Sequence, residues 1–140
     1  MLLLTPEIRA LIEAHAAETY PRECCGLLVG RVEARGRVAL EAHRAGNLNV
    51  ERAHDRFSLD PKDFMRVDTQ ARARGLDIVG IYHSHPDHPA RPSQTDLEAA
   101  WEGYSYVIVA VNKGKPGDFH SFELVAGAFR QEETIPETRP

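Results

Sequence analysis

HSHPDHPARPSQTD, the stretch from His83 to Asp96, sets two imidazoles one residue apart and ends on a serine and an aspartate three residues apart. Alternate residues of an extended strand point to the same face, so His83 and His85 can grip one ion together. Asp96 can add a carboxylate oxygen, giving two nitrogens, one oxygen and an open fourth position. That set suits a catalytic zinc better than a structural one, which would close the tetrahedron with protein groups. Ser93 then needs a role beside the site, and so does an acid that is not itself a ligand.

Each piece also has a plain structural reading. Serine followed three residues later by an acid resembles a capping box, and a helix start held by Ser93 would fix the direction of Asp96 in either case. His83 and His85 could sit solvated at a strand end, although Pro86 and the acid closing the loop favour a metal. Asp87 and His88 read as exposed loop residues, and His15 as part of a helix face. His43, His54 and His120 have no partner at ligand spacing. Glu23, in YPRECCGLLVG, is the candidate for the missing acid, with a solvated loop acid as the alternative. Cys24 and Cys25 enter an apolar run, where cysteine behaves as a small apolar side chain.

The bulk composition fits one soluble globular domain: 140 residues, 42% hydrophobic and 27% charged. A core of this size is viable without disulfides. The net charge of -4 and the scattered Lys and Arg give no reason to expect nucleic acid as a partner. The two cysteines are adjacent, a poor geometry for a disulfide, which favours a reducing, cytoplasmic setting. MLLLTPE has neither the basic start nor the apolar length of a signal peptide, and no membrane span is apparent.

Thr5-Pro6-Glu7 starts a helix that runs to Tyr20-Pro21. Cys25 to Val32 reads as a buried strand and Arg37 to His43 as a second, followed by an irregular loop from Ala45 to Arg56. Asp60-Pro61 opens a helix to Arg74, stopped by Gly75. Asp77 to His83 is a strand that delivers the histidines, and a short helix follows Ser93. Tyr104 to Val111 and Phe119 to Ala126 form strands around the turn at Lys113–Gly117. Residues 131–140 read as a polar, frayed tail behind a domain spanning 1–130. The order αββαβαββ predicts an α/β fold, a sheet with helices packed against it.

Taken together, Glu23 in PRECCGLLVG, HSHP, six further residues and SQTD resemble the JAMM (MPN+) metalloprotease motif, and the chain is similar to its short prokaryotic members. The resemblance extends to the opening helix, to Asn47 and to Phe57-Ser58-Leu59-Asp60-Pro61. It implies a curved mixed sheet flanked by helices, of the cytidine-deaminase-like kind. It also implies Zn2+ held by His83, His85 and Asp96, with Glu23 as general base and Ser93 assisting catalysis. The implied activity is a peptidase or isopeptidase cutting after the Gly-Gly tail of a ubiquitin-like or sulfur-carrier protein. Three rivals are a noncatalytic MPN-type scaffold, a metallo-β-lactamase-like hydrolase, whose H-x-H-x-D-H signature His83 to His88 also fits, and an amidase that uses the same metal on a small molecule. The first usually lacks part of the ligand set, and the second needs a further histidine and a larger fold.

Overall fold

Three helices start on side-chain caps. The structure, a computed structural model, describes residues 1–137. Thr5 caps α1 (Pro6–Thr19) by accepting the Ile8 N–H, with Pro6 at the position where a missing N–H does no harm. Asp60 does the same for α2 (Pro61–Ala73) through the Lys62 N–H. Ser93 opens α3 (Gln94–Ala99) with a capping box, its hydroxyl accepting from Asp96 and its own N–H donating to the Asp96 carboxylate.

The strands are β1 (Leu2–Leu4), β2 (Cys25–Glu33), β3 (Gly36–Ala45), β4 (Asp77–Pro86), β5 (Ser105–Asn112), β6 (Lys115–Val125), β7 (Ala128–Glu132) and β8 (Thr134–Pro136). They form one mixed sheet in the order β7-β6-β5-β4-β2-β3-β1-β8. β4 and β5 run parallel, as β1 does to both its neighbours, and the remaining pairs are antiparallel. β2 is bulged against both β3 and β4 near Val29, which bends the strand and curves the sheet. This is the curved mixed sheet flanked by helices that the motif resemblance implies. Among the described residues no helix is long and apolar enough to cross a membrane.

Strand alternation sorts side chains between two cores. On one face Ile8, Ile12 and Ala16 of α1 pack against Leu28, Tyr82, Val107 and Val109. On the other, Val67 and Ala71 of α2 pack against Leu27, Val29 and Ile78, with Ile81 beside them. β4 therefore sends Tyr82 toward α1 but Ile81, His83 and His85 toward α2. Gly26 is needed where the Tyr82 ring crosses β2, since a Cβ there would lie 2.2 Å from that ring.

The expected element order holds from α1 to β6, with three strands added. β1 and β8 are three-residue strands that pair with each other from opposite ends of the chain, a contact no local pattern announces. The expectation of a frayed tail from residue 131 is corrected: Gln131 and Glu132 complete β7, and Thr134–Pro136 form β8. Glu132 is buried there, accepting from Ser121 and pairing with the N-terminal amine, while Glu137 is buried as well. Residues 138–140 of that expected tail lie outside the described residues. β4 extends to Pro86, past its expected end at His83, so both histidines stand on regular strand. The β5–β6 turn contracts to Lys113 and Gly114, whose φ values of 51° and 85° fit a two-residue hairpin of type I′.

Candidate metal centre

The C-terminal end of β4 and the first turn of α3 bring three donor atoms to one point. His83 Nε2 and His85 Nε2 lie 3.1 Å apart. Asp96 Oδ1 is 3.3 Å from the first, and its Oδ2 is 3.2 Å from the second. A tetrahedral cation with nitrogen and oxygen ligands at about 2.0–2.1 Å separates its ligand atoms by roughly 3.3 Å. The triangle fits such an ion, and among the described residues this is the one group of three or more His, Cys, Asp or Glu so placed.

The surroundings aim these donors. His85 Nδ1 lies 2.8 Å from the Pro89 carbonyl, which can only accept, so Nδ1 carries the proton and Nε2 offers its lone pair to the cluster. The His83 ring stacks on Phe57 with centroids 4.4 Å apart and is 2% exposed. Asp96 keeps its place in the capping box through the Ser93 N–H at 2.8 Å, so the structural and site-building readings of SQTD coexist. Burial works against charge throughout the site. It lowers the basicity of His83 despite the Asp96 carboxylate beside it. Burial likewise opposes ionisation of Asp96, but its bonds to both imidazoles outweigh that and hold the carboxyl far below its usual range. His85 is desolvated too, yet Asp96 and the Pro89 carbonyl raise it overall. The convergence point favours a positive charge, whether proton or metal.

Glu23 lies two residues before β2. Antiparallel pairing sets Cys25 opposite His83, and the Ser84 hydroxyl accepts the Cys24 N–H at 2.8 Å. Glu23 is 3% exposed, and its Oε1 is buried without a hydrogen-bond partner. It shares a cleft with His85 and Ser93. Burial pushes its carboxyl up to about 8, with Asp96 and Asp55 adding to the rise and His85 opposing it. A group poised there can exchange a proton near neutral pH, which a solvated loop acid does not do. Burial also pushes the Cys24 thiol up to about 11 and the Cys25 thiol up to about 12, so neither is an activated nucleophile.

Other sequence candidates lie outside the cluster. Asp87 accepts the Tyr20 hydroxyl at 2.6 Å and the Lys113 N–H at 2.9 Å, so its carboxylate is spent on holding the loop. His88 is exposed and is not among the converging donors. The H-x-H-x-D-H reading therefore loses both of its last two ligands. His15 is buried against Tyr82, its Nδ1 2.7 Å from that hydroxyl. Ser84 and the Pro89 carbonyl are the contributors that sequence reasoning missed. Strand alternation could have flagged Ser84, the residue between two histidines on the opposite face; nothing in the sequence marks a carbonyl.

Residues 5–125 match the family described as prokaryotic homologs of the JAB domain. The chain is similar to a Haloferax volcanii protein named desampylase, 38% identical over 135 residues, covering 93% of this chain and 92% of that one. It is similar to a Mycobacterium tuberculosis protein named CysO-cysteine peptidase, 30% identical over 133 residues, 94% of this chain and 88% of that one. Among solved structures, a Desulfitobacterium hafniense protein superposes with a TM-score of 0.87 at 32% identity, covering 99% of this chain and 94% of that one.

Proposed function

Because the chain belongs to the prokaryotic homologs of the JAB domain, we propose that it is a zinc-dependent peptidase or isopeptidase acting after the C-terminal Gly-Gly of a ubiquitin-like or sulfur-carrier protein. The names of its relatives, desampylase and CysO-cysteine peptidase, support the substrate class. One observation carries the chemistry: a triangle of two imidazole nitrogens and a carboxylate, with the buried, unpartnered Glu23 sharing the cleft beside it. That complete set speaks against a noncatalytic scaffold.

In this reading His83 Nε2, His85 Nε2 and Asp96 hold the zinc. Bound there, zinc would supply Lewis acidity and would lower the pKa of a water to about 7. Glu23, buried in the cleft beside the triangle with its Oε1 unpartnered, would take the proton of the attacking water and return it to the leaving amine. The Ser93 hydroxyl keeps a lone pair on the Asp96 N–H at 3.0 Å and has its proton free to donate to the developing oxyanion. His85 is held in register by Pro89, and burial of His83 keeps water from competing for it.

The catalytic unit in this proposal is the whole sheet with its helices, β7 and β8 included. A cytoplasmic setting is part of it, supported by two buried cysteines that remain free thiols. The test is direct. Zinc-loaded protein should release one residue from a ubiquitin-like carrier ending Gly-Gly-Ala, and a chelator should stop it. A protein that binds zinc stoichiometrically yet cuts neither this carrier nor a Gly-Gly isopeptide conjugate would overturn the reading.

A further inference from the structure

Two clefts of opposite character meet at the donor triangle. One, of about 410 Å³, touches His83 and Asp96 and is walled by Phe57, Phe64, Met65, Trp101, Tyr104 and Phe129. The other, of about 440 Å³, holds Glu23, His85 and Ser93, with Arg91 and His88 in its walls, and Asp55 and Arg56 stand on the border between the two clefts. An amide lying across the triangle puts its acyl side in one cleft and its amine side in the other. Glu23 must hand a proton to the leaving amine, so the amine side belongs to the polar cleft.

The charge in that cleft is unevenly spent. Asp55 is already gripped by Arg52 at 2.5 and 3.1 Å. Arg56 is near enough to Asp55 to lower its carboxyl, yet makes no ion pair with it. Among the described residues no ion pair or side-chain hydrogen bond engages the guanidinium of Arg56, which is half-buried at the border of the two clefts, or of Arg91, which is exposed at the rim of the polar one. Two free guanidinium forks on the leaving-group side ask for an anion with two oxygens. When the leaving group is a single amino acid, its α-carboxylate sits one carbon from the departing nitrogen. A lysine side chain instead offers four methylenes and no nearby charge.

Resting on the peptidase reading above, we propose that Arg56 and Arg91 bind the free α-carboxylate of the leaving group. The favoured substrate is then a Gly-Gly tail extended by one amino acid or a very short peptide, rather than a tail joined to a lysine side chain.

Binding is measured on the zinc-loaded Glu23→Gln protein, which holds substrate without turning it over. The probes are two acetylated peptides ending Leu-Gly-Gly-Ala, one with a free carboxylate and one with a C-terminal amide. The acid should bind about tenfold or more tightly, as a charge-assisted pair warrants. The ratio should shrink with salt and collapse toward one when Arg56→Gln or Arg91→Gln is added, with circular dichroism unchanged. Equal affinities, no binding of the acid, or a ratio that survives both substitutions would overturn the proposal. Turnover of the same peptides by the protein with Glu23 intact separates the two claims. Equal hydrolysis of acid and amide keeps the peptidase and removes the carboxylate site. Carboxylate-dependent binding without hydrolysis of either keeps the site and removes the peptidase.

Discussion

The Ser84 hydroxyl accepts the backbone N–H of Cys24 at 2.8 Å, and the Ser84 N–H returns a bond to the Cys24 carbonyl at 3.2 Å. Ser84 stands between the two histidines, and Cys24 follows Glu23. By strand alternation its side chain lies on the sheet face opposite the donor triangle. It fixes the spacing between Glu23 and the two imidazoles without touching either.

Ser84→Ala should therefore act on geometry. It strands a buried N–H, at a cost of about 1–3 kcal/mol in stability. Zinc content should stay near wild type, because both imidazoles remain, while kcat falls with little change in KM. Ser84→Thr keeps the acceptor and should recover most of kcat. A Ser84→Ala protein with a lowered melting temperature but wild-type kcat would show a merely structural residue.

Removing the metal should cost stability as well as activity. Without a cation, two buried imidazoles and a carboxylate crowd within 3.1–3.3 Å of one another. Zinc held at 1,000 times its dissociation constant stabilises by about 4 kcal/mol. Calorimetry with and without chelator should show a clear drop in melting temperature. His83→Ala and His85→Ala should abolish that difference, and His88→Ala should preserve it. Loss of the zinc-dependent shift in His88→Ala would bring that residue into the ligand set.

Glu23→Gln keeps the shape of the side chain and removes the proposed base. Turnover should fall by roughly 10²–10⁴-fold with zinc retained. The same substitution changes how stability responds to pH in metal-free protein. Glu23 has its folded pKa raised from 4.5 to about 8, so the folded state holds a proton that the unfolded chain has released. Its contribution is fully present below about 4.5 and is lost as pH rises toward 8. Metal-free wild type should weaken across that window, and metal-free Glu23→Gln should weaken less. Parallel pH profiles for the two proteins would show that Glu23 does not titrate there.

How much of this was legible in the sequence depended on how local each signal is. The helix starts at Thr5, Asp60 and Ser93 are short-range devices and were readable. The pairing of His83 with His85 followed from strand alternation, and Asp96 stood out as a carboxylate closing the loop after that pair, with its capping box as the competing reading. Glu23 was different: only the family resemblance put it near His83, because the register of β2 on β4 is a long-range fact. β1 and β8 escaped notice for the same reason, each being three residues whose partner lies at the other end of the chain. The charge of the two clefts was equally hidden. Arg56 and Arg91 look like ordinary loop arginines until the fold brings them to one wall.

Asn47 offers a test of whether the loop before α2 is part of the site or only its cover. Its side-chain amide donates to the carbonyls of Glu23 and Arg56 at 3.2 and 3.1 Å, and its oxygen accepts the N–H groups of Asn49 and Ser58, both at 2.9 Å. One side chain thus fastens the backbone of Glu23 to the loop that carries Arg56 and Phe57, the ring stacked on His83. Asn47→Asp keeps the acceptor but loses both donors and sets a carboxylate against two carbonyls. A cost of about 2–4 kcal/mol is expected, most of it local to residues 46–59. Amide exchange should accelerate across that loop while the protection of β5 and β6 is kept. Because Arg56 and Phe57 line the clefts, KM should rise by more than kcat falls, the reverse of the pattern expected for Ser84→Ala. A loop with wild-type exchange and an unchanged KM would mean that the fold holds these residues in place without Asn47.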